Sequence, residues 1–191
     1  MKILISQLFA LLLVLVVNGQ SATEQPANKP TFSSINQIGL LTGAAGEAAT
    51  LQSINGIKMG HWFTGIGAGI HYYGLRSIPL FADVRRTFGN KVNKPFVYAD
   101  GGISFPWETT VQLQNKGYEP SKSKGLFYDV GAGYALTGKK NRAILLSAGY
   151  SYKKTTNQTP LYTIWLWPGT PASETYINRF RTIVVKLGIQ L

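Results

Sequence analysis

The chain has 191 residues, no cysteine, and a formal net charge of +11 from 19 Lys and Arg against 8 Asp and Glu. The missing cysteine excludes a disulfide framework, a thiolate metal site and the lipid anchor of a lipobox. Aromatic residues make up 12% of the chain and there are 21 glycines, while charged residues are only 14%, a mixture typical of β-barrels.

Met1 and Lys2 precede an apolar run from Ile3 to Val17, which ends in Asn18, Gly19, Gln20 and Ala22. A charged start, a short apolar core and a small-residue exit form a secretory signal peptide, whereas a membrane anchor needs about 20 apolar residues. The leader is expected over 1–22, leaving at Val17-Asn18-Gly19 or at Ser21-Ala22. No later stretch is apolar for that length, so any membrane role must come from strands. About 170 residues then remain, which suits one domain with its own core. Loss of Lys2 leaves a charge of +10. Such a balance commonly reads as nucleic-acid binding, but an exported chain meets a phosphate-bearing membrane surface instead. No nucleic-acid partner is therefore expected.

Residues 23–32, polar and carrying Pro26 and Pro30, read as a disordered lead-in to a barrel over 33–191. Period-two alternation then marks eight strands: Ser34 to Gly43, Leu51 to Met59, His61 to Tyr73, Ile78 to Phe88, Pro95 to Phe105, Gly125 to Leu136, Arg142 to Tyr152 and Asn178 to Leu191. Most are long enough to cross a bilayer when tilted, which takes about 9 to 11 residues. The faces of the first strand stay unassigned, and the second is mixed, with Asn55 sharing the parity of Ile57. Strand four sets Ile78, Leu80, Ala82 and Val84 against Asp83 and Arg85. Strand five sets Val97, Ala99, Ile103 and Phe105 against Tyr98, Asp100 and Ser104. Strand six sets Tyr128, Val130, Ala132, Tyr134 and Leu136 against Asp129, Gly131 and Gly133. Strand seven sets Ile144, Leu146, Tyr150 and Tyr152 against Ser147, Gly149 and Ser151. Strand eight sets Ile183, Val185, Leu187, Ile189 and Leu191 against Thr182, Lys186 and Gln190, with Val184 as the one apolar exception.

Asp83, Arg85, Asp100, Asp129 and Lys186 all oppose the apolar series. In a membrane barrel they lie inside, because Arg or Lys on the lipid face near the midplane costs about 2–4 kcal/mol. A soluble barrel would reverse both faces, and parity alone does not choose between them. Three features favour lipid outside. Gly65, Gly67 and Gly69, with Gly131 and Gly133, sit on the charged face and suit a crowded interior. Trp62 and Tyr72 close the two ends of the third strand's apolar face, and Tyr128 and Tyr134 those of the sixth, as interfacial girdles do; Tyr150 and Tyr152 join the set. Connections 2/3, 4/5 and 6/7 are short, whereas 5/6 (Pro106 to Lys124) and 7/8 (Lys153 to Ile177) are long, as in an even-stranded bacterial barrel. The expected fold is all-β: an eight-stranded antiparallel up-and-down transmembrane β-barrel.

Five stretches carry a resemblance: Ser53-Ile54-Asn55-Gly56, Ile78 to Arg85, Pro95 to Gly102, Gly131-Ala132-Gly133 and the closing Val184 to Leu191. Over strands two to eight the chain resembles the small, porin-like outer-membrane β-barrel family of Bacteroidetes. The resemblance implies an eight-stranded barrel in the outer membrane, inserted by the barrel-assembly machinery, with the final strand, which ends here in Leu191, as its recognition signal.

The interior set Asp83, Arg85, Asp100, Asp129 and Lys186, extended by Lys58, His71 and Tyr98, reads either as a proton or ion path or as a structural ion-pair network. The network is favoured, since eight strands enclose an interior just filled by side chains and buried charges need partners. A lipid-A acyl hydrolase needs a serine beside a base and an orienting carboxylate. The only histidines are His61, at a tight turn, and His71, and no local motif supplies that set. Gly65-Ile66-Gly67-Ala68-Gly69 lacks the spacing and following helix of a dinucleotide loop. No catalytic, cofactor or metal site emerges. Trp165 and Trp167 in the 7/8 connection are candidates for loop contacts, or alternatively an interfacial anchor or an extension of the hairpin. Lys153-Lys154 and Lys122-Lys124 fall near the outer rim, within reach of lipopolysaccharide phosphates. The expected function is a non-enzymatic outer-membrane barrel with a plugged polar interior and long extracellular loops, 5/6 and 7/8, that deliver a structural or surface-interaction role. The alternatives are a secreted lipocalin-like carrier, a narrow solute channel and the lipid-A enzyme.

Overall fold

The computed structural model describes residues 29–89, 93–107, 121–138, 142–161 and 172–191. They form nine strand segments: β1 (Thr31–Gly43), β2 (Gly46–Met59), β3 (Trp62–His71), β4 (Ser77–Thr87), β5 (Asn93–Pro106), β6 (Ser121–Ser123), β7 (Gly125–Thr137), β8 (Ala143–Leu161) and β9 (Ala172–Gln190). Every pairing is antiparallel, and each long strand pairs with the next in sequence. β9 returns to β1, from Ile35↔Gln190 to Gly43↔Thr182. That closure leaves the sheet without a free edge.

β6 and β7 are one strand broken by a bulge. Between Ser123↔Thr156 and Phe127↔Lys153 they take four steps where β8 takes three, so Lys124 stands at the extra position. Counted so, this is the closed eight-stranded up-and-down barrel. Gly60 sits in the two-residue link between β2 and β3 at φ +60°, a left-handed conformation that a side chain disfavours.

Four places complete or correct the sequence reading. β1 starts at Thr31, which pairs with Lys58, so Thr31 and Phe32 belong to the barrel and not to the lead-in. β1 also acquires faces: Ile35, Gln37 and Leu41 are buried inside, while Phe32, Ile38 and Leu40 are exposed outside. Apolar residues on both sides had hidden its alternation. β2 keeps Asn55 on the outward side with Ile57, as its parity indicates, along with Leu51 and Ser53, while Thr50, Gln52 and Ile54 face inward. Finally, the expected long 7/8 loop is mostly hairpin, for β8 and β9 pair as far as Leu161↔Ala172.

The interior is built by matching large side chains to glycines. A Cβ on Gly67 would lie 2.5 Å from the Phe81 ring, and one on Gly133 2.6 Å from that of Phe96. Gly131 and Gly149 flank the Tyr98 ring in the same way. One apolar cluster joins Ile35, Ile54, Phe63, Phe81, Phe96 and Phe127, and a second gathers Leu41, Tyr73 and Val184. Because the three atoms nearest a Cβ at Gly67 all belong to the Phe81 and Ile54 side chains, Gly67→Val overpacks the lumen and lowers stability by about 1–3 kcal/mol. Urea unfolding in lipid vesicles is the measurement, and adding Phe81→Leu should return part of the loss.

Candidate functional site

Lys186 projects from β9 between two small neighbours, Gly39 on β1 and Ser147 on β8. Its stem lies over Gly39, where a Cβ would come within 2.9 Å of Cγ. This places Nζ 2.7 Å from the Asp129 carboxylate on β7 and 3.6 Å from that of Asp100 on β5. Nζ also donates to Gln52 Oε1 at 3.3 Å and stands 4.4 Å from the Tyr98 ring centre. Tyr98 OH donates to Asp129 Oδ1 at 2.9 Å.

Arg85 pairs with Asp83 two residues earlier on β4, since alternate residues share a face: the closest approach is 2.8 Å and Nε donates to both carboxylate oxygens. Its Nη2 reaches Gln37 on β1 at 3.4 Å, and Gln37 donates onward to Gln52. Asp83, Asp100 and Asp129 are direct cross-strand neighbours on β4, β5 and β7. Like charges so placed repel, and the two cations held against them offset that repulsion. The structure thus brings all five sequence-predicted interior residues together, each at most 5% exposed. They tie strands that are not neighbours in the sheet, β9 to β7 and β5, and β4 to β1. Tyr98 belongs to this set, whereas Lys58 is only half-buried near the β2–β3 turn.

Sequence reasoning misplaced Lys153. Expected at the outer rim, it is 1% exposed inside the barrel, where Nζ donates to Tyr73 O at 2.7 Å, Leu75 O at 2.6 Å and Ser77 Oγ at 3.2 Å. It thereby fixes the connection between β3 and β4 from within. Its parity matches Ser151, so the signal was present once β8 is taken past Tyr152. His71 is buried beside it, with Nδ1 3.4 Å from Lys153 Nζ and its ring edge-on to Phe127. His61 is exposed in the turn. Among the described residues no cluster of three or more His, Cys, Asp or Glu is placed to hold a metal ion.

The aromatic candidates lie on the outer face. Trp62 and Tyr72 are 50% and 41% exposed at opposite ends of the β3 face. Arg86 stacks on Trp62 and Phe88 at one end, and Arg76 on Tyr72 and Trp107 at the other. Tyr128 stacks on Tyr152 at 4.9 Å and lies 6.3 Å from Tyr150, while Tyr134 stands toward the other end of β7, 51% exposed. Trp165 and Trp167 lie outside the described residues. Lys122 sits in β6 opposite Asn157.

No family description matches the chain, and no curated protein matches it either. Solved structures that share the fold include the N-terminal β-barrel domain of Pseudomonas aeruginosa OprF and Neisserial surface protein A (NspA). Each is 13% identical with a TM-score of 0.51 over 87% of this chain, covering 100% of the first and 99% of the second. Both are small outer-membrane eight-stranded barrels.

Truncating Lys186 leaves Asp129 and Asp100 buried without their cation. Lys186→Met should therefore cost about 3–5 kcal/mol in vesicle unfolding. Asp129→Leu placed in the same chain should recover much of it, giving a double-mutant coupling well above the scatter of independent sites.

Proposed function

We propose that this chain is a non-enzymatic integral outer-membrane barrel, exported by its 1–22 leader and inserted by the barrel-assembly machinery. A plugged lumen leaves its structural or surface-contact work to the end that carries the β3–β4 connection. One observation carries the reading: the barrel is inside-out by the standards of a water-soluble protein. Leu80, Val97, Val130, Leu146 and Leu187 stand 42–53% exposed around the outside, while Asp83, Asp100, Asp129, Arg85 and Lys186 are enclosed. In water that arrangement would expose a continuous apolar surface far larger than a soluble monomer shows. In a bilayer it sets apolar groups against acyl chains, with aromatic girdles at each interface. A secreted lipocalin-like carrier needs the opposite polarity, an apolar cavity within a polar shell. A solute channel needs an open lumen, whereas Lys186, Tyr98 and the apolar clusters fill this one.

The end bearing the β3–β4 connection also suits lipopolysaccharide. The register sets Lys154 directly opposite Arg179 and Tyr152 opposite Arg181, all on the outer face. Cations so opposed repel, and phosphate groups of outer-leaflet lipid relieve that repulsion. The Bacteroidetes affinity implied by the sequence resemblance fits the same reading and rests on the sequence alone.

Expressed in a Gram-negative host, the chain should fractionate with detergent-extractable outer membrane and show heat-modifiable gel mobility. Purified protein should give no conductance steps in planar bilayers. A mature polypeptide that is folded, monomeric and soluble without amphiphile overturns the proposal.

A further inference from the structure

One part of the lipid-facing surface is not apolar. Ser34 and Asn36 on β1 stand directly opposite Asn55 and Ser53 on β2, and all four face outward. Their depth follows from β3, whose outer face runs Trp62, Thr64, Ile66, Ala68, Ile70 and Tyr72 between two aromatic ends. Ser53 pairs with Ala68 and Asn55 with Ile66, the middle two of those six. Two amides and two hydroxyls therefore sit near the centre of the membrane-spanning band, and no side-chain hydrogen bond joins them to each other. In hydrocarbon an unpaired amide is costly, because neither lipid nor water can satisfy it there.

The side of the patch that holds Asn36 and Ser53 is concave. A shallow hollow of about 520 Å³ opens on the outer surface over Asn36, Ser53 and Ala68, walled by Ile38, Leu187 and Ile189. On the same outer face of β1 and β3 stand Phe32, Leu40 and Ile66, 74%, 70% and 69% exposed, the three most exposed large apolar side chains among the described residues. An acyl chain would fill the hollow yet offer nothing to the amides. A primary amide carries both donor and acceptor, so across a two-fold axis it satisfies its own kind, and the same axis sets the ridge of each copy against the hollow of the other.

Taking the chain as the membrane barrel proposed above, the geometry points to a second copy of this chain as the occupant: two barrels pack through their β1–β2–β3 faces, with the Asn36 and Asn55 amides turned toward each other at mid-membrane. The lack of native cysteine makes this directly testable. Ser53→Cys, in full-length chain resident in outer membranes, should crosslink on oxidation mainly to a species of twice the monomer mass. Val130→Cys, on β7 at the far side of the barrel, should not. In detergent, Asn36→Leu/Asn55→Leu should sediment as a monomer where the unmodified chain is a dimer, while keeping heat-modifiable mobility. The inference fails if Ser53→Cys stays monomeric or captures only another protein, if Val130→Cys crosslinks equally, or if the double variant remains dimeric. A heat-modifiable monomer in the membrane fraction defeats the dimer and leaves the membrane barrel standing. Recovery of the chain in the soluble fraction defeats both.

Discussion

The width of the lumen governs this molecule. Eight strands enclose a space that side chains alone fill, so a large group can enter only where the facing wall has given up its own. Tyr98 occupies the room left by Gly131 and Gly149, Phe81 that of Gly67, Phe96 that of Gly133, and the Lys186 stem that of Gly39. Glycine in a strand is ordinarily a liability. Here each one admits a ring or an aliphatic stem that packs across the interior.

The placement of charge follows from the same restriction. Three aspartates side by side on β4, β5 and β7 repel one another when ionised, and cations held against them offset that repulsion. Arg85 does so along its own strand and Lys186 across the lumen from β9. Each cation spans strands that the backbone ladder does not join, so the polar layer braces the closed sheet transversely. Lys153 repeats the device at the level of the β3–β4 connection, with backbone carbonyls in place of carboxylates.

Much of this was legible in the sequence because period two maps directly onto inside and outside. The parity of Asp83, Asp100, Asp129 and Lys186 puts them on one face, and the glycines on that face announce a crowded interior. What parity does not encode is which residues reach one another across a lumen. The Arg85–Gln37–Gln52 path therefore had no sequence signature. β1 failed for a different reason: Ile35 and Leu41 serve interior apolar clusters while Ile38 and Leu40 meet the surroundings, so both faces are greasy. Lys153 was missed because a lysine after Tyr152 looks like the end of a strand, whereas the hairpin continues and keeps the inward parity.

The mixed pattern of β2 carries information of another kind. Asn55 shares the side of Ile57, and in a barrel whose other outward strands keep amides off their central positions this is more than noise in the alternation. An outward-facing residue is free to be apolar at no cost to the interior packing, since it touches nothing inside. Four neighbouring positions that forgo that option, Ser34 with Asn55 and Asn36 with Ser53, occupy two successive levels of one face. A constraint acting from inside the barrel cannot account for side chains that point away from it. On the membrane-barrel reading proposed above, the contact that makes those groups worth keeping comes from outside the barrel, from a surface able to give and accept hydrogen bonds.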